Sequence, residues 1–265
     1  MQNISLNKWR SGEKSLGIWS ILPDIHMAEM FVRMEADWIC FDLQHGLMSH
    51  SDLTRLLPAI CGQAITPLVR VAANQADQIG KALDAGAQGV IVPLVNSAEE
   101  ARRAVAACRY PPQGNRSFGP MRDTMIEGMN YLQTANDQVA CVVMIETEEG
   151  LRNVEGIAEV EGLDGLFIGP MDLCFGIGLP PGSLADAAFT DAVAAILAAC
   201  KKHRRAAGIF GVTPEMVYKA LQDGFDFASV GTDVSFIQTG AAQALTIARG
   251  KAAPPADGSA RQTGY

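Results

Sequence analysis

The sequence predicts a (β/α)8 barrel of the TIM type, on three observations. Eight short apolar runs, many of them β-branched, read as strands at 16–21, 38–43, 65–71, 89–95, 139–146, 165–169, 207–212 and 227–231. Stretches of helical period lie between them at 50–60, 75–85, 98–108, 148–159, 187–203, 214–222 and 234–248. No GxGxxG follows the first strand, so the rival doubly wound open sheet lacks its main signature.

The helices carry their own punctuation. Ser97, Thr213 and Asp233 stand where N-caps belong, and Pro214 takes a first helical position. Asp84-Ala-Gly86 and Asp223-Gly224 read as helix stops that lead into the next strand. Two interruptions stand out. The segment 109–138 is longer than a usual connection and holds Pro111, Pro112, Gly114, Gly119 and Pro120. The segment 175–185 is rich in Gly and Pro. Long loops of this kind often act as lids or oligomer contacts. One catalytic domain over 1–250 is expected, followed by a small polar tail at 251–265 that reads as disordered.

Composition narrows the partners. The chain has 265 residues, 48% of them hydrophobic, which is ample for a packed core. A net charge of −8 and a pI near 5.0 argue against nucleic acid and anionic membrane. The six cysteines form no CxxC pair, and Cys40 and Cys141 lie inside apolar strands, as expected in a reducing cytosol. The first ten residues lack the apolar core of a signal peptide, and no run is long enough to span a membrane. A cytoplasmic protein is expected.

Glu146 and Asp172 are the chemically suggestive pair. Each closes an apolar strand, where the barrel places its active-site face. Carboxylates there can converge on one hard divalent cation, Mg²⁺, Mn²⁺ or Co²⁺. Taken alone they could also be two helix N-caps. Period two then adds neighbours at the same rim. Asp42 shares a face with Cys40, Arg70 with Leu68, Glu146 with Met144, and Phe210 with Gly208, while His45 lies just past Asp42. Trp19 faces inward from the first strand. Charges ending apolar strands are expensive to bury unless they satisfy one another or a metal.

The runs Phe41-Asp-Leu-Gln-His-Gly46, Pro67-Leu-Val-Arg70, Asp84-Ala-Gly-Ala87, Val92-Pro93, Arg109-Tyr-Pro-Pro-Gln-Gly114, Ile145-Glu146 and Phe167-Ile-Gly-Pro-Met-Asp-Leu173 resemble the HpcH/HpaI aldolase family over about residues 16–248. The family comprises metal-dependent class II pyruvate aldolases that cleave 4-hydroxy-2-oxo acids to pyruvate and an aldehyde. The resemblance implies Glu146 and Asp172 as metal ligands, Arg70 on the substrate carbonyl, and Asp42 with His45 as a dyad. It also implies a homohexamer in which Asp84 reaches a neighbour's active site. Two positions depart from the family pattern. Ala72 stands where Arg-Val-Pro is common, and Met144 where many members carry Gln.

Retro-aldol cleavage needs either a lysine Schiff base or a Lewis acid. Lys81, Lys201, Lys202 and Lys219 all fall on expected helices, so the metal route is favoured. His45 is then the expected base, Arg70 the enolate-stabilising charge, and the amides of Met171 and Asp172 the carboxylate anchor. Trp19, Phe210 and Val234 are expected to shape the aldehyde side. The alternatives are an acyl-CoA carbon–carbon lyase, a 2-oxo acid decarboxylase and a catalytically silent oxo-acid sensor.

Overall fold

In the computed structural model, which describes residues 2–251, eight parallel strands close into a barrel in chain order. They are β1 (Ser15–Ser20), β2 (Trp38–Asp42), β3 (Thr66–Arg70), β4 (Gly89–Val92), β5 (Ala140–Ile145), β6 (Gly165–Ile168), β7 (Ala206–Phe210) and β8 (Phe227–Thr232). Every expected strand is present, with ends shifted by one to a few residues. β8 pairs with β1, so the sheet has no open edge. The tail expected at 251–265 lies outside the described residues from 252 onward. Among the described residues, no helix is long and apolar enough to cross a membrane.

Period two divides each strand between two cores. Outward residues such as Ile39, Phe41, Val69, Val90, Val143 and Ile168 meet the surrounding helices. Inward residues Trp19, Cys40, Leu68, Ile91, Val142, Met144, Phe167 and Phe227 fill the barrel. Gly17 is required by this filling. A Cβ there would lie 1.9 Å from the Trp38 ring, which crosses the barrel interior at that level. The barrel floor is plugged by a helix the hydrophobic pattern did not show, Ile4–Ser11. It buries only Ser5, Leu6 and Trp9, too few for a visible period, and Trp9 stacks on Phe227 at 4.2 Å.

Three other expectations change. The segment 109–138 is not an irregular loop; it contains the helices Met121–Glu127 and Tyr131–Gln138, joined by the turn Gly128–Asn130. The expected helix 148–159 breaks at Asn153 into Glu148–Arg152 and Val154–Glu159. Asp233 is not an N-cap. Thr232 caps the last helix, Asp233–Ala248, and Asp233 is its first residue.

That correction reveals a closure device. Asp233 is fully buried, and its Oδ2 accepts from the amides of Ile21 and Leu22, each at 2.9 Å, and from the Ser20 hydroxyl at 3.2 Å. One carboxylate thus ties the end of β8 to the end of β1. Removing it strands two amides, which costs about 2–5 kcal/mol. Asp233→Ala should lower the urea unfolding midpoint accordingly. An unchanged midpoint would show that the seam closes by strand pairing alone.

Candidate active site

β2 and β3 end side by side, with Asp42 in register with Arg70. The guanidinium grips the carboxylate in a fork: Nε donates to Oδ1 at 2.8 Å and Nη2 to Oδ2 at 2.5 Å. Asp42 is fully buried and Arg70 nearly so. Asp42 also accepts from the Trp19 indole at 3.2 Å and from the amides of Gln44 and His45 at 3.0 and 3.2 Å. Burial alone would raise the Asp42 carboxyl, but the hydrogen bonds and charge of Arg70 outweigh it and hold it below its ordinary range.

Trp19 forms the floor under this pair. Arg70 lies over its ring at 5.1 Å. Phe167 stacks on it at 5.5 Å and Phe210 meets it edge-on at 5.3 Å. Phe210 and Val234 are half-buried and pack on the same inner cluster, so both stand at the mouth where the sequence places them. His45 is exposed just beyond β2, and the hydrogen bond it makes to Asp42 runs through its main-chain amide. Asp42 and His45 therefore stand in contact at the barrel mouth.

Across the mouth, Glu146 follows β5 and is 3% exposed. Its Oε1 accepts from the Leu94 amide at 2.7 Å. Burial pushes its carboxyl up to about 7; the Leu94 amide lowers it, the Asp172 charge raises it and the Arg70 charge lowers it. Asp172 is exposed on the first turn of a short helix, Pro170–Gly176, so the expected Gly169–Asp172 turn is that helix's start. Gly169 separates the two acids. A Cβ built there would fall 2.9 Å from Glu146 Oε2, 3.8 Å from Asp172 Oδ2 and 3.1 Å from Met144 Cε. Both carboxylates therefore face one small cradle that any other residue would fill, and Met144 closes it from below. No three of His, Cys, Asp and Glu cluster among the described residues. The donor set is two hard oxygens with room for water or substrate, which fits Mg²⁺ or Mn²⁺ better than zinc.

Asp84 is not part of this rim. It ends the helix Ala76–Asp84, which returns the chain to the start of β4 at the opposite end of the barrel. Arg116 holds it there: Nη2 reaches Asp84 Oδ1 at 2.8 Å. Arg116 is itself buried against Tyr131 Oη at 3.1 Å and the Tyr110 ring at 4.6 Å.

Two contributors carried no legible signal. Leu94 adopts φ 55°, a left-handed conformation for which leucine gives no hint. Asn96 accepts from the Thr147 hydroxyl. Both lie in the loop after β4.

A closed parallel barrel with charged groups gathered at the strand ends defines an enzyme of the TIM-barrel class. The family model described as HpcH/HpaI aldolase/citrate lyase matches residues 15–239. A 2-dehydro-3,6-dideoxy-6-sulfogluconate aldolase of Pseudomonas putida is 39% identical over 91% of this chain and 95% of its own. A hydroxypyruvate/pyruvate aldolase of Rhizorhabdus wittichii is 37% identical over 91% and 96%. A crystal structure of an HpcH/HpaI aldolase/citrate lyase family protein from Burkholderia cenocepacia superposes with a TM-score of 0.88 at 33% identity, covering 94% of this chain and all of that one. The chain belongs to the HpcH/HpaI aldolase/citrate lyase family and is an aldolase, a carbon–carbon lyase.

The buried Asp42–Arg70 pair makes a pH prediction. A carboxyl depressed in the folded state contributes stability above its unfolded value, near 3.8, and that contribution disappears as pH falls toward the folded value. The stability advantage of wild type over Asp42→Asn should be constant from about pH 8 to about pH 5 and shrink below about pH 4. Urea midpoints at stepped pH measure it. An advantage that persists unchanged at the acid end would mean that Asp42 is not held ionised by Arg70.

Proposed function

We propose that the protein is a class II, metal-dependent aldolase that reversibly cleaves 4-hydroxy-2-oxo acids to pyruvate and an aldehyde. The observation that carries this reading is the shared cradle of Glu146 and Asp172 beside the buried Arg70. A divalent ion held by these two carboxylates, Mg²⁺, Mn²⁺ or Co²⁺, would supply Lewis-acid polarisation of the 2-oxo acid. The remaining work falls to the chain's own residues. Arg70, fixed by the Asp42 fork, offers a preorganised positive charge to the oxygen that becomes the enolate. The first-turn amides of Met171 and Asp172 have no acceptor within their helix and suit the substrate carboxylate. His45 stands exposed beside Asp42 and is the candidate base for the 4-hydroxyl proton. Trp19, Phe210 and Val234 give the aldehyde side an apolar, permissive wall.

Self-association belongs to the same reading. The helix Asp233–Ala248 buries only Asp233, and Phe236, Ile237, Leu245 and Ile247 on it are exposed. An apolar helix left uncovered supports an oligomer, for which we propose a homohexamer. Asp84 lies at the wrong end of its own barrel, so a catalytic role for it requires a neighbour's mouth.

Metal dependence has a calculable pH signature. With the Glu146 carboxyl pushed up to about 7 by burial, a cation must displace its proton at lower pH. Mn²⁺ affinity should weaken roughly tenfold per pH unit below about 7 and level off above it. Exhaustive chelation should abolish turnover, and Mn²⁺ or Mg²⁺ should restore it. Full turnover after verified metal loss would exclude the class II mechanism.

Arg70→Ala should lower retro-aldol turnover by about 100- to 1000-fold, and Arg70→Lys should recover only part, because a point charge lacks the guanidinium fork. Asp84→Ala should also be impaired. Co-expressed Arg70→Ala and Asp84→Ala chains should recover activity that neither has alone, because a mixed oligomer can pair an intact Arg70 with a neighbour's intact Asp84. Absence of recovery in verified mixed oligomers would remove Asp84 from the neighbour's site.

A further inference from the structure

The loop after β4 carries an unexplained strain. Leu94 is held at φ 55°, where a residue with a Cβ is disfavoured by about 1 kcal/mol or more. Its side chain is 53% exposed, so packing does not explain the conformation. Its main chain does something specific: the amide donates to Glu146 Oε1 at 2.7 Å. The other oxygen of the same carboxylate, Oε2, then faces the Gly169 cradle and Asp172.

The loop is also sewn to the segment that follows β5. Asn96 Oδ1 accepts from the Thr147 hydroxyl, the residue next to Glu146. Asn153 Nδ2 donates to the Asn96 carbonyl at 2.7 Å. A Cβ built at Gly150 would lie 2.9 Å from the Val95 carbonyl, so the two segments touch closely there as well. Asn96 is itself fixed, its amide donating to Glu100 Oε2 at 2.6 Å.

We propose that residues 94–96 form a positioning clamp for Glu146: the left-handed turn at Leu94 aims an amide at one carboxylate oxygen, leaving the other to a divalent cation, and Asn96 locks the clamp to Thr147. The proposal rests on the metal reading above and extends it to residues that do not touch the metal. A carboxylate free to rotate binds a cation less well than one with a single oxygen pinned, and loss of such outer partners weakens metal affinity by about 10- to 100-fold.

The test is Mn²⁺ binding to the full-length protein, followed by electron paramagnetic resonance and calorimetry. Leu94→Asn tolerates the left-handed conformation and keeps the amide, so it should bind Mn²⁺ like wild type. Leu94→Ile is β-branched, resists that conformation and should bind about tenfold more weakly. Asn96→Ala should weaken binding similarly, and Thr147→Ser, which retains the hydroxyl, should not. Circular dichroism and thermal midpoints separate these effects from misfolding, and Asn96→Ala removes the bond to Thr147 while keeping the main-chain groups that bond Glu100 and Asn153. Wild-type Mn²⁺ affinity in a folded Leu94→Ile or in Asn96→Ala overturns the clamp while leaving the metal site in place. Wild-type affinity in Glu146→Gln removes the metal reading and the clamp with it.

Discussion

The organisation of the barrel mouth depends on the fork between Arg70 and Asp42. Two opposite charges taken out of water lose several kcal/mol each in hydration, and their attraction offsets this only when the geometry is good and the remaining lone pairs are filled. Both conditions hold. The in-register ends of β2 and β3 put the side chains abreast, and Trp19, Gln44 and His45 fill the other positions on Asp42. The pair also marks a boundary. Below it the barrel is filled by Trp19, Phe167, Leu68 and Met144, and at the mouth the acids Glu146 and Asp172 stand with the half-buried Phe210 and Val234.

The fork has a consequence for the opposite wall. Arg70 is close enough to lower the Glu146 carboxyl, yet its charge is already matched by Asp42. Glu146 is thus left buried with one amide for support and with the Asp172 charge nearby, and burial dominates. A carboxyl in that position holds a proton or takes up a cation. On the metal reading proposed above, the same arrangement that makes Arg70 rigid would make the Glu146–Asp172 cradle receptive to a divalent ion.

What could be read in the sequence follows the strength of the physical signals. Strands β1 to β8 were legible because buried apolar runs bounded by Gly, Pro and Asp have few other uses, and period two then put Trp19, Asp42, Arg70, Glu146 and Phe210 on the inner face. The one-residue shift of the cap from Asp233 to Thr232 was not legible: an acid at a helix start looks the same whether it serves its own amides or those at the end of β1. The helix Ile4–Ser11 was missed because a plug with three buried residues has no periodicity to detect. Met121–Glu127 was hidden by surrounding Pro and Gly and by exposed Met121 and Met125, which face outward where a core helix would face inward. Leu94 was invisible for a different reason. Its role belongs to its backbone, and nothing in a leucine side chain announces a left-handed turn.

These misses share a cause that bears on how the enzyme is built. The strands, which the pattern specifies strongly, carry Asp42 and Arg70 and fix them through register. Glu146 lies one residue beyond β5 and Asp172 four residues beyond β6, where register no longer constrains a side chain. Precision there has to come from elsewhere, and the structure supplies it with main-chain atoms: the Leu94 amide on Glu146, and the missing Cβ of Gly169 between the acids. Backbone groups are well suited to this task, since a main-chain amide has no rotamers to lose when it is fixed. A small strain at Leu94 is tolerable in a barrel whose seam is tied by Asp233 and whose mouth is braced by the Asp42–Arg70 fork. The rigid inner layers thus allow the less regular loops above them to hold a demanding geometry.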